Sequence, residues 1–140
     1  MTDPNCIFCK IAAGQIPSHK IYEDENIFAF LDIGPLTRGH TLVIPKFHAP
    51  TTMDAPPEIL ANIAKKLPAL AKAVLAAAGA KACHILTNNG SDAKQTVHHL
   101  HYHIIPRTPG DGFDIPWHPG KLDNASAAAL LADIHSALRG

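Results

Sequence analysis

The segment with the most chemistry in it is Val97-His98-His99-Leu100-His101-Tyr102-His103-Ile104-Ile105. An extended chain alternates sides with a period of two, so a strand here places His99, His101 and His103 on one face. His98, Leu100, Tyr102 and Ile104 fall on the other, which is mostly apolar and is expected to pack on a helix. The three imidazoles then stand in a row at about 6.5–7 Å spacing. Imidazole titrates nearest to neutral pH, so it can ligate metals, move protons or act as a nucleophile. Three readings are open: a solvated polar face, a three-histidine metal site, or a catalytic row. In the last, one imidazole attacks and its neighbours set its tautomer and hydrogen bonds. Geometry weakens the second reading. Zn–N bonds of about 2.0–2.1 Å let one ion bridge residues i and i+2, but not all three on a straight strand.

A second set of candidate ligands is Cys6-x-x-Cys9. One such pair supplies two ligands, and a tetrahedral structural zinc needs four. No second CxxC exists and Cys83 is distant in sequence. His48, just past a strand ending at Pro45, and His99 could complete the set. A redox pair and two inert thiols are the alternatives.

The elements that must position these residues follow from periodicity and punctuation. Cys6 to Ala13 reads as a short helix ended by Gly14. Lys20 to Glu23 and Ile27 to Leu31 read as a hairpin joined by Asp24-Glu25-Asn26. His40 to Pro45 is a third strand. Pro56-Pro57-Glu58 opens the main helix. Its apolar positions Ile59, Leu60, Ile63, Leu67, Leu70, Val74 and Leu75 recur at helical spacing. Pro68 is expected to kink or split this helix, and Gly79 to cap it. Cys83 to Thr87 and Thr96 to Pro106 are the fourth and fifth strands. Thr108 to Gly120 is a loop. Asp123 or Asn124 caps a last helix striped by Leu130, Leu131, Ile134 and Leu138. Strands joined by short turns, with helices gathered to one side, make an α+β fold on an antiparallel sheet of about five strands.

Composition bounds the rest. A chain of 140 residues suits a single domain, residues 1–140. Lys+Arg and Asp+Glu are both 12, so the net charge is zero and binding to nucleic acid by bulk charge is not expected. At 46% hydrophobic and 17% charged residues the chain is not a disordered one. The N-terminal Met-Thr-Asp-Pro-Asn-Cys has neither a basic nor an apolar leader segment, and no apolar run is long enough for a membrane span. Three cysteines are too few for a disulfide framework, so a reduced cytoplasmic setting is expected.

The His-x-His-x-His run followed by two apolar residues resembles the signature of the histidine-triad (HIT) superfamily of nucleotide hydrolases and transferases. The resemblance extends over most of the chain. Cys6-Ile7-Phe8-Cys9-Lys10-Ile11, Gly14-Gln15-Ile16-Pro17 and Tyr22-Glu23 look like the family's opening. Leu31-Asp32-Ile33 and Gly39-His40-Thr41-Leu42-Val43-Ile44-Pro45-Lys46 look like its nucleotide-binding strands. Asn88-Asn89-Gly90 and Gln95-Thr96-Val97 look like its phosphate loop. The set points to the Hint branch, the nucleoside phosphoramidate hydrolases.

The resemblance implies roles. His101 is the nucleophile toward the α-phosphorus of a purine nucleoside 5′-monophosphate derivative, through a nucleotidyl-histidine that water then hydrolyses. His103 holds the phosphate, His99 sits beside them or binds metal, and His40 joins the histidine network. Asp32 accepts from the ribose hydroxyls and Ile33 contacts the base. Asn88, Gln95 and Thr96 bind phosphate oxygens. Some bacterial members hold zinc with a Cys-Cys-His-His set, which here is Cys6, Cys9, His48 and His99. Such a zinc is structural, and the chemistry needs no catalytic cofactor. The family also implies a homodimer with one continuous sheet, and Trp117 reaching toward the partner's pocket.

Each role has a plainer counterpart. Asp32 can start a turn before Gly34-Pro35, Asn88 can sit in a turn with Asn89-Gly90, and Gln95 and Thr96 can be ordinary strand-entry residues. Lys94 departs from the family's pattern, which tends to carry glycine before the glutamine. Lysine takes positive φ poorly, which puts the loop's phosphate contacts in question. The third triad member is histidine and not glutamine, which favours the hydrolases. Three other functions stay open: dinucleoside polyphosphate hydrolysis, a nucleotide-binding regulatory module with little catalysis, and a metalloenzyme using His99 and His101.

Overall fold

A computed structural model describes residues 1–140. In chain order the elements are α1 (Ile7–Ala12), β1 (Lys20–Glu23), β2 (Ile27–Leu31), β3 (Thr41–Pro45), α2 (Pro57–Ala78), β4 (Ala82–Leu86), β5 (Tyr102–Arg107) and α3 (Asn124–Arg139). The strands form one sheet in the order β1-β2-β3-β5-β4, with every pair antiparallel. The β1–β2 hairpin is held by Asp24, whose Oδ1 accepts from the amides of Asn26 and Ile27 at 2.8 and 2.9 Å. The expected α+β class and five-stranded sheet are observed.

The helices do not gather to one side as expected: α1 and α2 cover opposite faces of the central strands, because β2 and β3 are apolar on both. Ile27, Ala29, Val43, Leu100 and Ile104 pack on Ile63, Leu70, Ala71 and Val74 of α2. Phe28, Phe30, Leu42 and Ile44 point the opposite way and pack on Phe8 and Ile11 of α1. β2 and β3 therefore read as continuous apolar runs and not as alternating ones. Each large side chain fully removed from water here contributes roughly 1.5–3 kcal/mol.

α2 has Pro57 in its first turn and ends on Gly79 at φ 69°, whose amide bonds Ala76 O while that of Ala80 bonds Leu75 O. The expected break at Pro68 is absent: α2 is one helix through it. Pro68 lies on the solvent face. There the carbonyl deprived of its amide partner can turn outward to water, at the cost of a mild curve.

The fifth strand is the larger correction. It begins at Tyr102, not Thr96. β3 pairs with it only from Tyr102 to Ile104. Upstream, the Leu100 amide goes to Ala49 O at 2.7 Å and that of His99 to Val97 O at 2.9 Å. These loop bonds draw residues 96–101 out of the ladder. Leu100 and Ile104 still face α2 as expected.

Asp123 caps α3, its Oδ1 accepting from Ser126 N at 2.9 Å. The stripe of Leu130, Leu131, Ile134 and Leu138 is exposed along its whole length.

Candidate active site

Three imidazoles and one carboxylate meet where β3 and β5 lie side by side. His40 stands at the entry to β3, behind Gly39. At φ 86°, a Cβ on Gly39 would meet Ala78 Cβ at 3.1 Å and Pro106 Cγ at 3.3 Å, so only glycine lets the chain pass so close to the end of α2. His40 Nε2 lies 2.8 Å from His103 Nδ1 and 3.6 Å from Asp32 Oδ2. The His101 and His103 rings are 4.9 Å apart.

His101 Nδ1 is 2.7 Å from the carbonyl oxygen of His99. A carbonyl only accepts, so Nδ1 carries the proton and Nε2 keeps its lone pair. Burial lowers the pKa of His101 and His40, and lowers that of His103 to about 4. The cluster is therefore neutral at pH 7. A neutral imidazole with a free Nε2 is a nucleophile without further activation. His103 Nε2 is buried and has no partner within the protein.

The second cluster is separate. Cys6 and Cys9, at the start of α1, meet His48 and His99, and their ligand atoms all lie within 4.8 Å of one another. His99 Nδ1 is 3.4 Å from Cys6 Sγ, 3.6 Å from Cys9 Sγ and 3.2 Å from His48 Nδ1, and Cys9 Sγ is 3.5 Å from His48 Nδ1. A tetrahedron with Zn–N of about 2.0–2.1 Å and Zn–S of about 2.3 Å has edges of roughly 3.3–3.8 Å, so the residues fit such an ion. His99 Nε2 is 2.8 Å from Pro45 O, which again only accepts. The Nε2 proton is thereby fixed and Nδ1 is left as the ligand atom, with an outer hydrogen bond of the kind that orients metal-binding histidines. Asp3 Oδ2 lies 3.9 Å from His48 Nε2, beyond hydrogen-bond reach.

The expected single row of three imidazoles is thus divided. Phe8 stands edge-on between His99 and His101, its ring 5.9 and 5.1 Å from theirs. His99 turns its ring toward the cysteines and offers only its carbonyl to His101. His101 and His103 remain together and His40 joins them.

Asp32 takes its expected turn role and also faces the histidine cluster. Its Oδ1 accepts from Gly34 N at 2.8 Å, as a turn residue does, and its Oδ2 faces His40. Ile33 is 89% exposed at the edge of this turn, a large apolar surface with no partner in the chain. In the loop before the triad, Gln95 is buried and wholly engaged. Its Oε1 accepts from Gly90 N at 2.8 Å and its Nε2 donates to Pro50 O and Val97 O at 2.7 and 3.1 Å. Placed so, its amide braces the loop. Asn88 is half-buried and Thr96 exposed. The neighbouring Asn89 ties the loop down by accepting from Thr52 N at 2.7 Å.

Lys94 adopts φ 67°, the left-handed conformation that glycine would take there, and is the one non-glycine residue to do so. That geometry costs a side-chain-bearing residue roughly 1 kcal/mol, partly offset by glycine's greater freedom when unfolded. Lys94→Gly is expected to raise stability by a few tenths to about 1 kcal/mol, read as the urea midpoint at unchanged slope. A lower midpoint would show that the lysine side chain makes a stabilising contact larger than this strain.

Sequence reasoning missed Phe8 as the divider. It also missed Thr87, whose hydroxyl donates to His101 O at 2.8 Å and steadies the backbone there. Neither leaves a local signal, because each acts across the sheet.

A model of the HIT domain matches residues 13–110 of the chain. The chain belongs to the HIT family. Its HIT relatives include the Saccharomyces cerevisiae protein named adenosine 5′-monophosphoramidase HNT1, 37% identical over 139 residues, with 99% of this chain and 85% of that one covered. The crystal structure of a Streptococcus mutans protein, SMU.412c, superposes with TM-score 0.94 at 42% identity, covering 98% of this chain and 87% of its own. A histidine triad family protein from Mycobacterium smegmatis, described as zinc-bound, superposes with TM-score 0.74 at 42% identity over 95% of this chain and 97% of its own.

Proposed function

We propose that this HIT protein hydrolyses purine nucleoside 5′-phosphoramidates and related adenylylated compounds through a covalent intermediate on His101. The observation that carries the reading is the placement of the His101 proton. The His99 carbonyl holds it on Nδ1, which leaves Nε2 free beside the half-buried His103. The relative named as an adenosine 5′-monophosphoramidase supports the substrate class.

In the first step His101 Nε2 forms a bond to the α-phosphorus and the P–N bond to the leaving group breaks, the departing nitrogen taking up a proton. In the second, water forms a P–O bond, the P–Nε2 bond breaks and the water's proton is lost, which restores neutral His101. His103 and His40 flank the phosphate. Asp32 and Ile33 hold the ribose and base, and Asn88, Thr96 and the amides of the loop braced by Gln95 receive the phosphate oxygens. Neutral donors fixed in advance suit the charge that develops there.

Cys6, Cys9, His48 and His99 hold a structural zinc that pins α1 to the sheet, and no catalytic cofactor is involved. The protein is a homodimer joined through β4, the sheet edge, where Ile85 is exposed. Trp117, 84% exposed on the long loop after β5, reaches toward the partner's pocket. No helix is long and apolar enough to cross a membrane. A cytoplasmic setting keeps the thiols reduced.

The experiment is a rapid quench of the enzyme with an adenosine 5′-phosphoramidate, followed by mass spectrometry of the His101 peptide. An added adenylyl group on that peptide is expected. Turnover without any adenylylated peptide overturns the covalent route. Faster turnover of dinucleoside polyphosphates in the same assay overturns the substrate class.

A further inference from the structure

We propose that the backbone amide of Leu36 is a positioning group of the active site. It sets the direction in which the His40–His103 hydrogen bond runs, so that His103 carries an N–H, and not a lone pair, on its buried and unpartnered Nε2. Its effect on turnover rests on the function proposed above; the direction itself does not.

Leu36 N lies 3.0 Å from His40 Nδ1. A backbone amide can only donate, so His40 Nδ1 is the acceptor and carries no proton. Neutral His40 then bears its proton on Nε2. That nitrogen faces His103 Nδ1 at 2.8 Å, while Asp32 Oδ2 lies 3.6 Å away, beyond hydrogen-bond reach. His103 Nδ1 must therefore accept, and the proton of neutral His103 lies on Nε2. This is the buried nitrogen that finds no partner within the protein. A fixed N–H left unsatisfied in a buried site is a ready donor to an anionic oxygen. The reverse direction would set the Leu36 and His40 N–H groups against each other and leave a lone pair on His103 Nε2. Burial, which keeps both imidazoles neutral, keeps the relay directional.

The loop carrying Leu36 is built to hold this amide still. Asp32 Oδ1 bonds Gly34 N on one side at 2.8 Å. On the other, Thr37 Oγ1 donates to Pro106 O at 2.6 Å and His40 N donates to Thr37 O at 3.1 Å. The Leu36 side chain itself is 48% exposed, so the backbone and not the side chain carries the role.

The test is NMR on the uniformly ¹⁵N-labelled protein as purified, at pH 7 and without substrate. Scalar couplings across hydrogen bonds are expected between Leu36 N and His40 Nδ1 and between His40 Nε2 and His103 Nδ1. The attached proton should be on Nε2 of both imidazoles. Leu36→Ala keeps the amide and should keep this spectrum and kcat within about twofold. Leu36→Pro removes the donor and should scramble the His40 and His103 tautomers and lower kcat roughly tenfold or more, with KM changed less. A wild-type proton on Nδ1 of either residue overturns the proposal, as does a Leu36→Pro protein with wild-type couplings and kcat. The wild-type couplings decide the direction even where Leu36→Pro fails to fold. A wild type with the expected couplings but no phosphoramidate hydrolysis overturns the proposed function and leaves the direction standing.

Discussion

His101→Ala is expected to lower kcat on an adenosine 5′-phosphoramidate by roughly four to six orders of magnitude, the range seen when a covalent nucleophile is deleted from a hydrolase. The size follows from what the residue supplies. Its Nδ1 proton is held by the His99 carbonyl oxygen and its Nε2 is not taken up by a ligand cluster as His99 Nδ1 is, so the Nε2 lone pair is permanently presented. His103 cannot take over: its Nδ1 accepts from His40, and its ring belongs to the relay. The Asp32 turn and the loop braced by Gln95 are untouched by the change, so nucleotide affinity should move less than tenfold, under about 1.4 kcal/mol. The measurement is single-turnover hydrolysis beside calorimetric binding of AMP. Undiminished turnover would sink the nucleophile assignment. Equal binding and negligible turnover in both wild type and variant would mark a regulatory nucleotide-binding module.

The second large effect concerns the Cys-Cys-His-His cluster. The purified protein is expected to contain one zinc per chain by elemental analysis. A ligand that binds only the folded state at about a thousandfold above its dissociation constant adds about 4 kcal/mol. For a chain of this length each kcal/mol is worth about 2–4 °C, so loss of the site should lower Tm by about 10 °C. Cys9→Ser should show this drop and the loss of zinc together, because Cys9 is buried against both His48 and His99. Cys83→Ser, outside the cluster, serves as the control and should change neither. Protein that carries no zinc and has an unaltered Tm in Cys9→Ser would reduce the cluster to two inert thiols. Hydrogen exchange should quicken first in α1, a helix of 6 residues that cannot persist on its own.

How far the sequence could be read depended on how local each determinant was. The β1–β2 hairpin was legible to the residue, because Asp24 holds its turn with bonds two and three residues away. The α2 cap at Gly79 was legible for the same reason. The triad's identity was legible, but its shape was not. Alternation in His-x-His-x-His is a strand signal, yet residues 96–101 spend their amides on loop partners such as Ala49, which no periodicity can reveal. Phe8, ninety residues away in sequence, decides that His99 and His101 do different work. Pro68 misled in the opposite sense: its local rule was sound, and exposure to water overrode it. Backbone donors such as Leu36 N leave no mark in a sequence at all, since every residue but proline carries one.

One arrangement bears on how such a chain can change over generations. His99 serves two neighbours with two different parts of itself: the ring faces the cysteines and His48, and the carbonyl holds His101. Any amino acid at this position brings a carbonyl. Mutation can therefore dismantle the Cys-Cys-His-His cluster piece by piece while His101 keeps its orientation, provided other packing takes over the anchoring of α1. Stability and chemistry are inherited here as separable traits, although they meet at a single residue.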